Sequence, residues 1–272
     1  MVFKFKWFCI FLVLFVGLNN HLLCDSRSNV DSLVPKKKAI IIGASSGIGA
    51  ALAKELVEHN YSVGIVGRRD DLLRQLKDDL GHDVYCKVMD VTKYEEARSF
   101  LGELITEMGG MDLIVISAGT GTLDLEWEKE KQTVEVNVLG FLGMINYATD
   151  YFLQQGNGHI IGISSIAGLR GSHDAPTYSA SKAFVSNYMT GLRARLRKAK
   201  SPLFITDIQP GFVATDMAQG EKKFWVATPQ EAASQIYDAI AKKNELAYVT
   251  KRWRLIAWAY KLLPDFIFYK VS

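Results

Sequence analysis

The chain has 272 residues, of which 49% are hydrophobic and 22% charged, a composition typical of one large or two small globular domains. The net charge of +3 is too small to indicate nucleic-acid binding, and no dense basic run with interleaved aromatic residues occurs in the central chain. Three scattered cysteines and five histidines lack the spacing of a disulfide framework or a metal site. We therefore expect a globular protein without a metal centre.

Residues 1–24 are predicted to be a hydrophobic signal peptide or membrane anchor. Lys4 and Lys6 precede an apolar run over 7–18, which is the pattern of a secretory signal. The run is short for a spanning helix, which needs about 20 apolar residues. A cleaved signal, an uncleaved anchor and an extension packed on the protein itself remain alternatives. The first two predict a membrane-associated or exported protein, and an anchor would place the domain across the membrane from a cytosolic N-terminus.

The polar residues 25–37 are predicted to be a linker, and the fold begins after them. Residues 39–42 form a continuous apolar run typical of a strand buried on both faces of a parallel sheet. Gly43-Ala44-Ser45-Ser46-Gly47-Ile48-Gly49 follows, and apolar residues then recur at helical spacing over 50–60. Such a turn lets the backbone and the helix N-terminus approach a pyrophosphate. The sequence therefore predicts a nucleotide site at this turn.

The glycine spacing G-x-x-x-G-x-G resembles that of the short-chain dehydrogenase/reductase family, in which Thr-Gly-x-x-x-Gly-Ile-Gly opens the fold. Ile42 stands where that family usually has threonine. Together with the alternation of strands and helices, the resemblance implies one Rossmann-type α/β domain over 38–250. Its doubly wound parallel sheet would have about seven strands with helices on both faces.

The choice of cofactor is predicted from the end of the second strand, 61–66. Gly67 stands where an NAD enzyme normally carries an acid for the ribose 2′-hydroxyl, and Arg68 and Arg69 follow it. A guanidinium suits phosphate geometry, which favours NADP. The alternative is that both arginines form a solvated helix entrance.

Further segments match the family in chain order. Asp90 and Val91 follow the third strand, where similar enzymes bind the adenine; a cap for the next helix is the alternative role of Asp90. Ser117 replaces an asparagine of the family and precedes Ala118-Gly119, two small residues that let the cofactor ribose approach. A Pro-Gly turn, Pro210-Gly211, follows the sixth strand. The candidate cofactor-binding residues are Gly43, Ser45, Ser46, Gly47, Ile48, Gly49, Arg68, Arg69, Asp90, Val91, Ala118, Gly119, Pro210, Gly211, Val213 and Thr215.

Tyr178 and Lys182 lie four residues apart in a predicted helix over 175–197, which puts the phenol and the ammonium on one face. A cation beside a tyrosine lowers the phenol pKa toward the range useful for proton transfer. The family places its catalytic serine thirteen residues before the tyrosine, which identifies Ser165 rather than Ser164. In similar proteins the asparagine matching Asn137 orients a water in a proton relay to the lysine; a structural asparagine is the alternative.

The C-terminal part is predicted to cover the site. Residues 212–227 are interpreted as a substrate lid with Met217, Phe224 and Trp225 as candidate pocket lining, and Thr228 is predicted to cap the next helix. The aromatic and basic tail, 251–272, fits an amphipathic helix at a membrane interface, a contribution to the pocket, or a subunit contact.

The predicted function is reversible hydride transfer between NADP(H) and a small-molecule alcohol/carbonyl pair, with a lipophilic substrate favoured by the apolar lid and tail. Tyr178 would exchange the proton, Ser165 would bind the substrate oxygen, and Lys182 would hold the ribose and lower the tyrosine pKa. The alternatives are a catalytically silent NADP(H)-binding sensor or scaffold, and epimerase or dehydratase chemistry on the same fold. Similar proteins are commonly dimers or tetramers, which favours a homo-oligomer.

Overall fold

The computed structural model of the chain describes residues 35–217 and 224–271, the side chains of 269–271 excepted. The predicted signal or anchor over 1–24 lies outside these residues. Among the helices of the described ranges, none has the length and hydropathy needed to cross a bilayer.

Seven parallel strands occur within the described residues, in the spatial order β3-β2-β1-β4-β5-β6-β7. The predicted doubly wound α/β sheet is thereby confirmed. The strands are β1 (Lys37–Ile42), β2 (Tyr61–Gly67), β3 (Val84–Val88), β4 (Leu113–Ile116), β5 (His159–Ile163), β6 (Phe204–Pro210) and β7 (Leu246–Val249).

Helices connect the strands and cover both faces of the sheet. They are α1 (Gly47–Glu58), α2 (Asp70–Leu80), α3 (Tyr94–Met108), α4 (Trp127–Val134), α5 (Phe141–Gln155), α6 (Pro176–Lys198), α7 (Pro229–Ala241), α8 (Trp253–Leu262) and α9 (Asp265–Val271). A short 3-10 helix spans Ile166–Leu169. As predicted, the side chain of Thr228 caps α7, because its Oγ1 accepts a hydrogen bond of 3.0 Å from the backbone N–H of Glu231.

The core consists of two apolar layers, one on each face of the sheet. Ile41 points into the layer formed with α1, α2 and α7, whereas Ile40 and Ile42 point into the layer formed with α3, α5 and α6. Successive side chains of a strand face opposite sides, so a strand covered on both faces must be apolar throughout. This is the reason for the continuous apolar run at the start of the fold.

The segment that contains Asn137 is helical from Trp127 to Gln155 but is not a continuous α-helix. Between α4 and α5 the chain adopts a π-helix at Glu135–Gly140. The wider turn contains Asn137, which is 1% exposed. Single π-turns inside α-helices occur frequently at functional sites, and periodicity alone does not predict them.

Candidate active site

The candidate site lies where the strand order reverses, between β1 and β4. From the carboxyl end of β1 the chain continues toward β2, and from that of β4 it continues toward β5 in the other half of the sheet. Such a reversal leaves a crevice suited to a ligand. The turn after β1 meets Ala118 after β4 so closely that a Cβ at Gly43 would lie 2.5 Å from the backbone nitrogen of Ala118. Gly43 also has a φ of +95°, so only glycine fits there. The predicted Ala118-Gly119 segment is therefore packed against the glycine turn.

The glycine turn leads directly into α1. A Cβ at Gly49 would lie 2.1 Å from the carbonyl oxygen of Gly43, so the first turn of the helix rests on the turn itself. Ser46 is the N-cap residue, but its side chain makes no capping hydrogen bond. The backbone N–H groups at this helix start suit a pyrophosphate.

The two predicted phosphate-binding arginines take different positions. The guanidinium of Arg69 donates to the hydroxyl of Ser45 at 3.0 and 3.2 Å and to that of Ser46 at 2.5 Å. Arg68 is exposed and makes no hydrogen bond or ion pair within the described ranges. A Cβ at Gly67 would lie 3.3 Å from Ser45 Oγ, so an acidic side chain at that position would crowd the serine. One guanidinium and two hydroxyls form a donor set that fits a phosphate group.

Asp90 and Val91 lie at the end of the third strand region. Asp90 Oδ1 accepts hydrogen bonds from the backbone N–H of Thr92 at 3.0 Å and from its hydroxyl at 2.9 Å. Asp90 therefore closes the turn before α3 and does not cap that helix, whose N-cap position is Lys93. Val91 is buried against Gly140 in the π-helix, where a Cβ would lie 2.6 Å from Val91 Cγ2.

Ser165 and Tyr178 meet at the carboxyl end of β5. The Ser165 side chain is near enough to the Tyr178 phenol to lower its pKa, and Ser165 Oγ accepts a hydrogen bond of 3.1 Å from the backbone N–H of Ala167. The expectation of a lowered phenol pKa does not hold in this structure. Burial raises the pKa of Tyr178, and the neighbouring Ser165 side chain offsets this only in part.

Lys182 lies one helical turn beyond Tyr178 and is buried, with 4% of its surface exposed. Its ammonium donates to the carbonyl oxygen of Ile163 at 3.0 Å and lies 5.8 Å from the centre of the Tyr178 ring. Burial lowers the pKa of Lys182 to about 8, against an opposing contribution from the nearby Asp207 carboxylate. The amine therefore titrates close to neutrality.

Asp207 is a buried acid that the sequence analysis did not identify. Its Oδ1 accepts from the hydroxyl of Ser164, and its Oδ2 accepts from the Ser186 hydroxyl at 2.7 Å and from the Gln209 amide at 2.9 Å. Ser164 also donates to the backbone carbonyl of Ile208 at 3.1 Å, which fits a backbone-bonding role next to Ser165. A charged residue within the apolar strand over 203–209 was the available signal. The cluster joins β5, β6 and α6 behind Lys182.

Asn137 has a fully engaged side chain. Its amide donates to the Thr120 carbonyl at 2.7 Å and to the Ser181 hydroxyl at 2.9 Å, and its Oδ1 accepts from the Thr120 N–H at 2.8 Å. These contacts clamp the chain after β4 to α6. Both Asn137 Oδ1 and Lys182 Nζ border Gly119, each 3.3 Å from the place of a Cβ there.

The segment after β6 folds back over the glycine turn. A Cβ at Gly47 would lie 2.9 Å from Thr215 Cγ2, and Val213 is buried and forms a β-bridge with Ala227. Pro210 ends β6, and its carbonyl lies 3.4 Å from Ser165 Oγ. The segment that contains the predicted Pro-Gly turn therefore borders both the glycine turn and Ser165.

An aromatic cluster lies beside this segment. Trp253, the first residue of α8, is 1% exposed, and a Cβ at Gly211 would lie 2.1 Å from its ring. Its ring centre is 5.6 Å from that of Phe212, 4.9 Å from that of Phe224 and 5.8 Å from that of Trp225. Three residues of the predicted lid thus pack on the start of the tail, and residues 218–223 of that lid lie outside the described ranges.

The predicted site residues therefore fall into two neighbouring groups. The first comprises Ser165, Tyr178 and Lys182, together with Asn137, which borders Gly119 beside Lys182. The second is the glycine turn with Arg69 and Thr215. Arg68 contacts neither group, and the Asp90 carboxylate accepts its hydrogen bonds from Thr92.

Comparisons with known proteins agree with this architecture. Curated relatives include an uncharacterized oxidoreductase of Myxococcus xanthus, 36% identical over 188 residues, which cover 66% of this chain and 74% of that protein. Another, from Mycobacterium tuberculosis, is 34% identical over 195 residues, covering 68% and 76% respectively.

Solved structures with the same fold include a short chain dehydrogenase/reductase from Burkholderia phymatum in complex with NAD, with a TM-score of 0.75, 20% identity and coverage of 82% of this chain and 92% of that one. Actinorhodin polyketide ketoreductase with NADPH gives a TM-score of 0.72, 23% identity and coverage of 84% and 98%. These two neighbours carry different nicotinamide cofactors, so the shared fold does not select between them. The family model for short chain dehydrogenases matches residues 37–224. The chain is therefore an oxidoreductase of the short-chain dehydrogenase/reductase family, as the glycine turn predicted.

Proposed function

We propose that the protein catalyses reversible transfer of a hydride equivalent between NADP(H) and a lipophilic alcohol/carbonyl substrate. The observation that carries the proposal is the grouping of three side chains: Ser165 lies beside the Tyr178 phenol, and the buried Lys182 ammonium lies 5.8 Å from the centre of the Tyr178 ring. When bound, the cofactor supplies or accepts the two electrons. The chain's own residues handle the proton and the substrate oxygen.

In the direction of reduction, the Tyr178 phenol donates its proton to the oxygen of the carbonyl substrate. The Ser165 hydroxyl, which lies beside the phenol, donates a hydrogen bond to that oxygen and holds it in place. The ammonium of Lys182 binds the ribose hydroxyls and favours the phenolate that remains after proton transfer. Because burial raises the pKa of Tyr178, the phenol holds its proton until a substrate oxygen accepts it.

Preference for NADP(H) is supported by the Arg69–Ser45–Ser46 donor set beside Gly67. A 2′-phosphate would accept hydrogen bonds from all three side chains, and no carboxylate of the second strand's end opposes it. The aromatic cluster around Trp253, next to Pro210 and Gly211, supports a lipophilic substrate.

Oxidation of NADPH and of NADH by the full chain, across a panel of aldehydes and ketones, tests the proposal. Tyr178→Phe should lower turnover about 10²- to 10⁴-fold, the usual contribution of general acid catalysis. Tyr188→Phe is the matched control, because this residue lies on the same helix and stacks on Phe184. Retention of most activity in Tyr178→Phe would show that the proton comes from elsewhere. Tight NADPH binding without turnover on any carbonyl would favour the sensor alternative.

A further inference from the structure

The last two helices present an exposed apolar face on the outside of the protein. Leu255, Trp258 and Leu262 on α8 are 67%, 67% and 62% exposed, and Phe266 on α9 is 68% exposed. The spacing of three and four residues places the three α8 side chains on one side of that helix. Large apolar side chains grouped in this way indicate an interaction surface rather than scattered surface residues.

The opposite side of the two helices is attached to the body of the protein. Trp253 and Ala257 are buried, and Arg170 donates to the carbonyl oxygen of Tyr260 at 3.1 Å. Arg170 also contacts the carbonyl of Leu263 and the carboxylate of Asp265. Because Arg170 directly follows the 3-10 helix that starts after Ser165, the tail is attached next to the candidate active site. The apolar face is therefore held in a fixed orientation.

Positive charge lies along one flank of this face. Residues 251–272 contain five Lys and Arg residues and one Asp, whereas the whole chain has a net charge of only +3. Arg254 and Lys261 are exposed, lie seven residues apart on α8 and therefore share one flank of the helix, beside the apolar side chains. An apolar stripe with aromatic residues and flanking cations is the pattern of a helix lying at an anionic bilayer surface.

We propose that the outer face of α8 and α9 docks on an anionic lipid bilayer, with Leu255, Trp258, Leu262 and Phe266 entering the boundary between headgroups and acyl chains. The excess of positive charge selects this occupant over a second copy of the chain, since two such faces would repel each other. A hydrophobic N-terminal segment in the same chain is consistent with a membrane location. The proposal concerns binding only and does not depend on catalysis.

Tryptophan quenching by brominated lipids tests this docking in the full chain. The protein is mixed with vesicles of brominated phosphatidylcholine, with or without phosphatidylserine. The emission of Trp258 is obtained as the difference between wild type and Trp258→Phe. Trp127, which is 72% exposed on α4, provides the matched control through Trp127→Phe. Other tryptophans, Trp7 included, contribute equally to both differences and cancel.

The expected result is quenching of Trp258 by about half or more on vesicles with phosphatidylserine, and little quenching of Trp127, because an interfacial helix buries one face only. Arg254→Gln combined with Lys261→Gln should lower the ratio of docked to undocked face about 25-fold, at about fivefold per cation near an anionic surface. Both replaced side chains are exposed, so folding is retained.

Three results would overturn the proposal: no quenching of Trp258, equal quenching of Trp127, or equal quenching on neutral vesicles. A second copy as the occupant would appear instead as protection of Trp258 from acrylamide that increases with protein concentration in the absence of lipid. None of these readouts involves turnover, so failure of the membrane-docking proposal can be distinguished from failure of the proposed catalytic function.

Discussion

Arg69→Ala should convert the protein from a preference for NADPH toward indifference between NADPH and NADH. Arg69 is the arginine whose guanidinium contacts Ser45 and Ser46 at the glycine turn. Its side chain is 47% exposed and pairs only distantly with Asp216, at 3.8 Å. The variant therefore removes a cation from the proposed phosphate position while leaving the fold intact, with a stability change within about 0.5 kcal/mol.

The magnitude follows from the hydrogen bonds that are lost. A hydrogen bond to a charged group contributes about 1.5–3 kcal/mol, and each 1.4 kcal/mol is about tenfold in affinity. The Kd for NADPH should therefore rise about 10- to 150-fold. NADH lacks the 2′-phosphate, so its Kd should remain nearly unchanged.

Energy transfer from protein tryptophans to the bound reduced nicotinamide measures both Kd values without a substrate. Arg68→Ala is the matched control. It removes one positive charge at the neighbouring position, but the Arg68 side chain, unlike that of Arg69, makes no contact with the glycine turn. An exposed charge acts weakly across solvent, where the screening length is about 8 Å at physiological salt. An equal loss of NADPH affinity in both variants would refute the contact and indicate a general positive potential. No loss in either would show that the 2′-phosphate lies elsewhere.

Further predictions concern the buried groups. Turnover should fall as the pH rises through about 8, where Lys182 loses its proton. Asp207→Asn should move this fall to lower pH, because the carboxylate that raises the pKa of Lys182 is removed. A pH–rate profile that does not move would contradict the role given to Asp207. Burial lowers the pKa of His159 from 6.5 to about 4, so the unfolded chain binds more protons between these values. The free energy of unfolding should therefore decrease as the pH falls from about 6.5 to about 4, by up to about 3 kcal/mol. In urea unfolding, His159→Gln should lack this contribution to the pH dependence, and the same slope of unfolding free energy against pH in the variant would disprove the assignment. Gly211→Ala would place a Cβ 2.1 Å from the Trp253 ring and should destabilise the fold by about 1–3 kcal/mol, seen as a lower Tm; a Tm equal to that of wild type would show that the ring moves freely.

The features that were predicted correctly are those encoded by neighbouring residues. A continuous apolar run such as Ile40–Ile42 can satisfy both faces of a strand only inside a covered parallel sheet. The two strands predicted over 39–42 and 61–66 were found within two residues of those ends. The glycine turn belongs to the same class, because Gly43 needs its positive φ whatever surrounds it. Local spacing also placed Tyr178 and Lys182 on one face of α6.

Tertiary structure decided whatever depends on residues distant in the chain. The sequence does not distinguish Arg68 from Arg69 as a phosphate-binding residue. Only the packing of β2 beside the glycine turn brings the Arg69 guanidinium into contact with Ser45. Asp207 approaches Lys182 because β5, β6 and α6 converge, and the Asn137 amide is occupied because the π-helix meets α6. Burial, in turn, reversed the expected direction of the Tyr178 pKa. Sequence spacing reports which groups share a strand or helix, whereas desolvation and long-range pairing arise only when separate elements pack together.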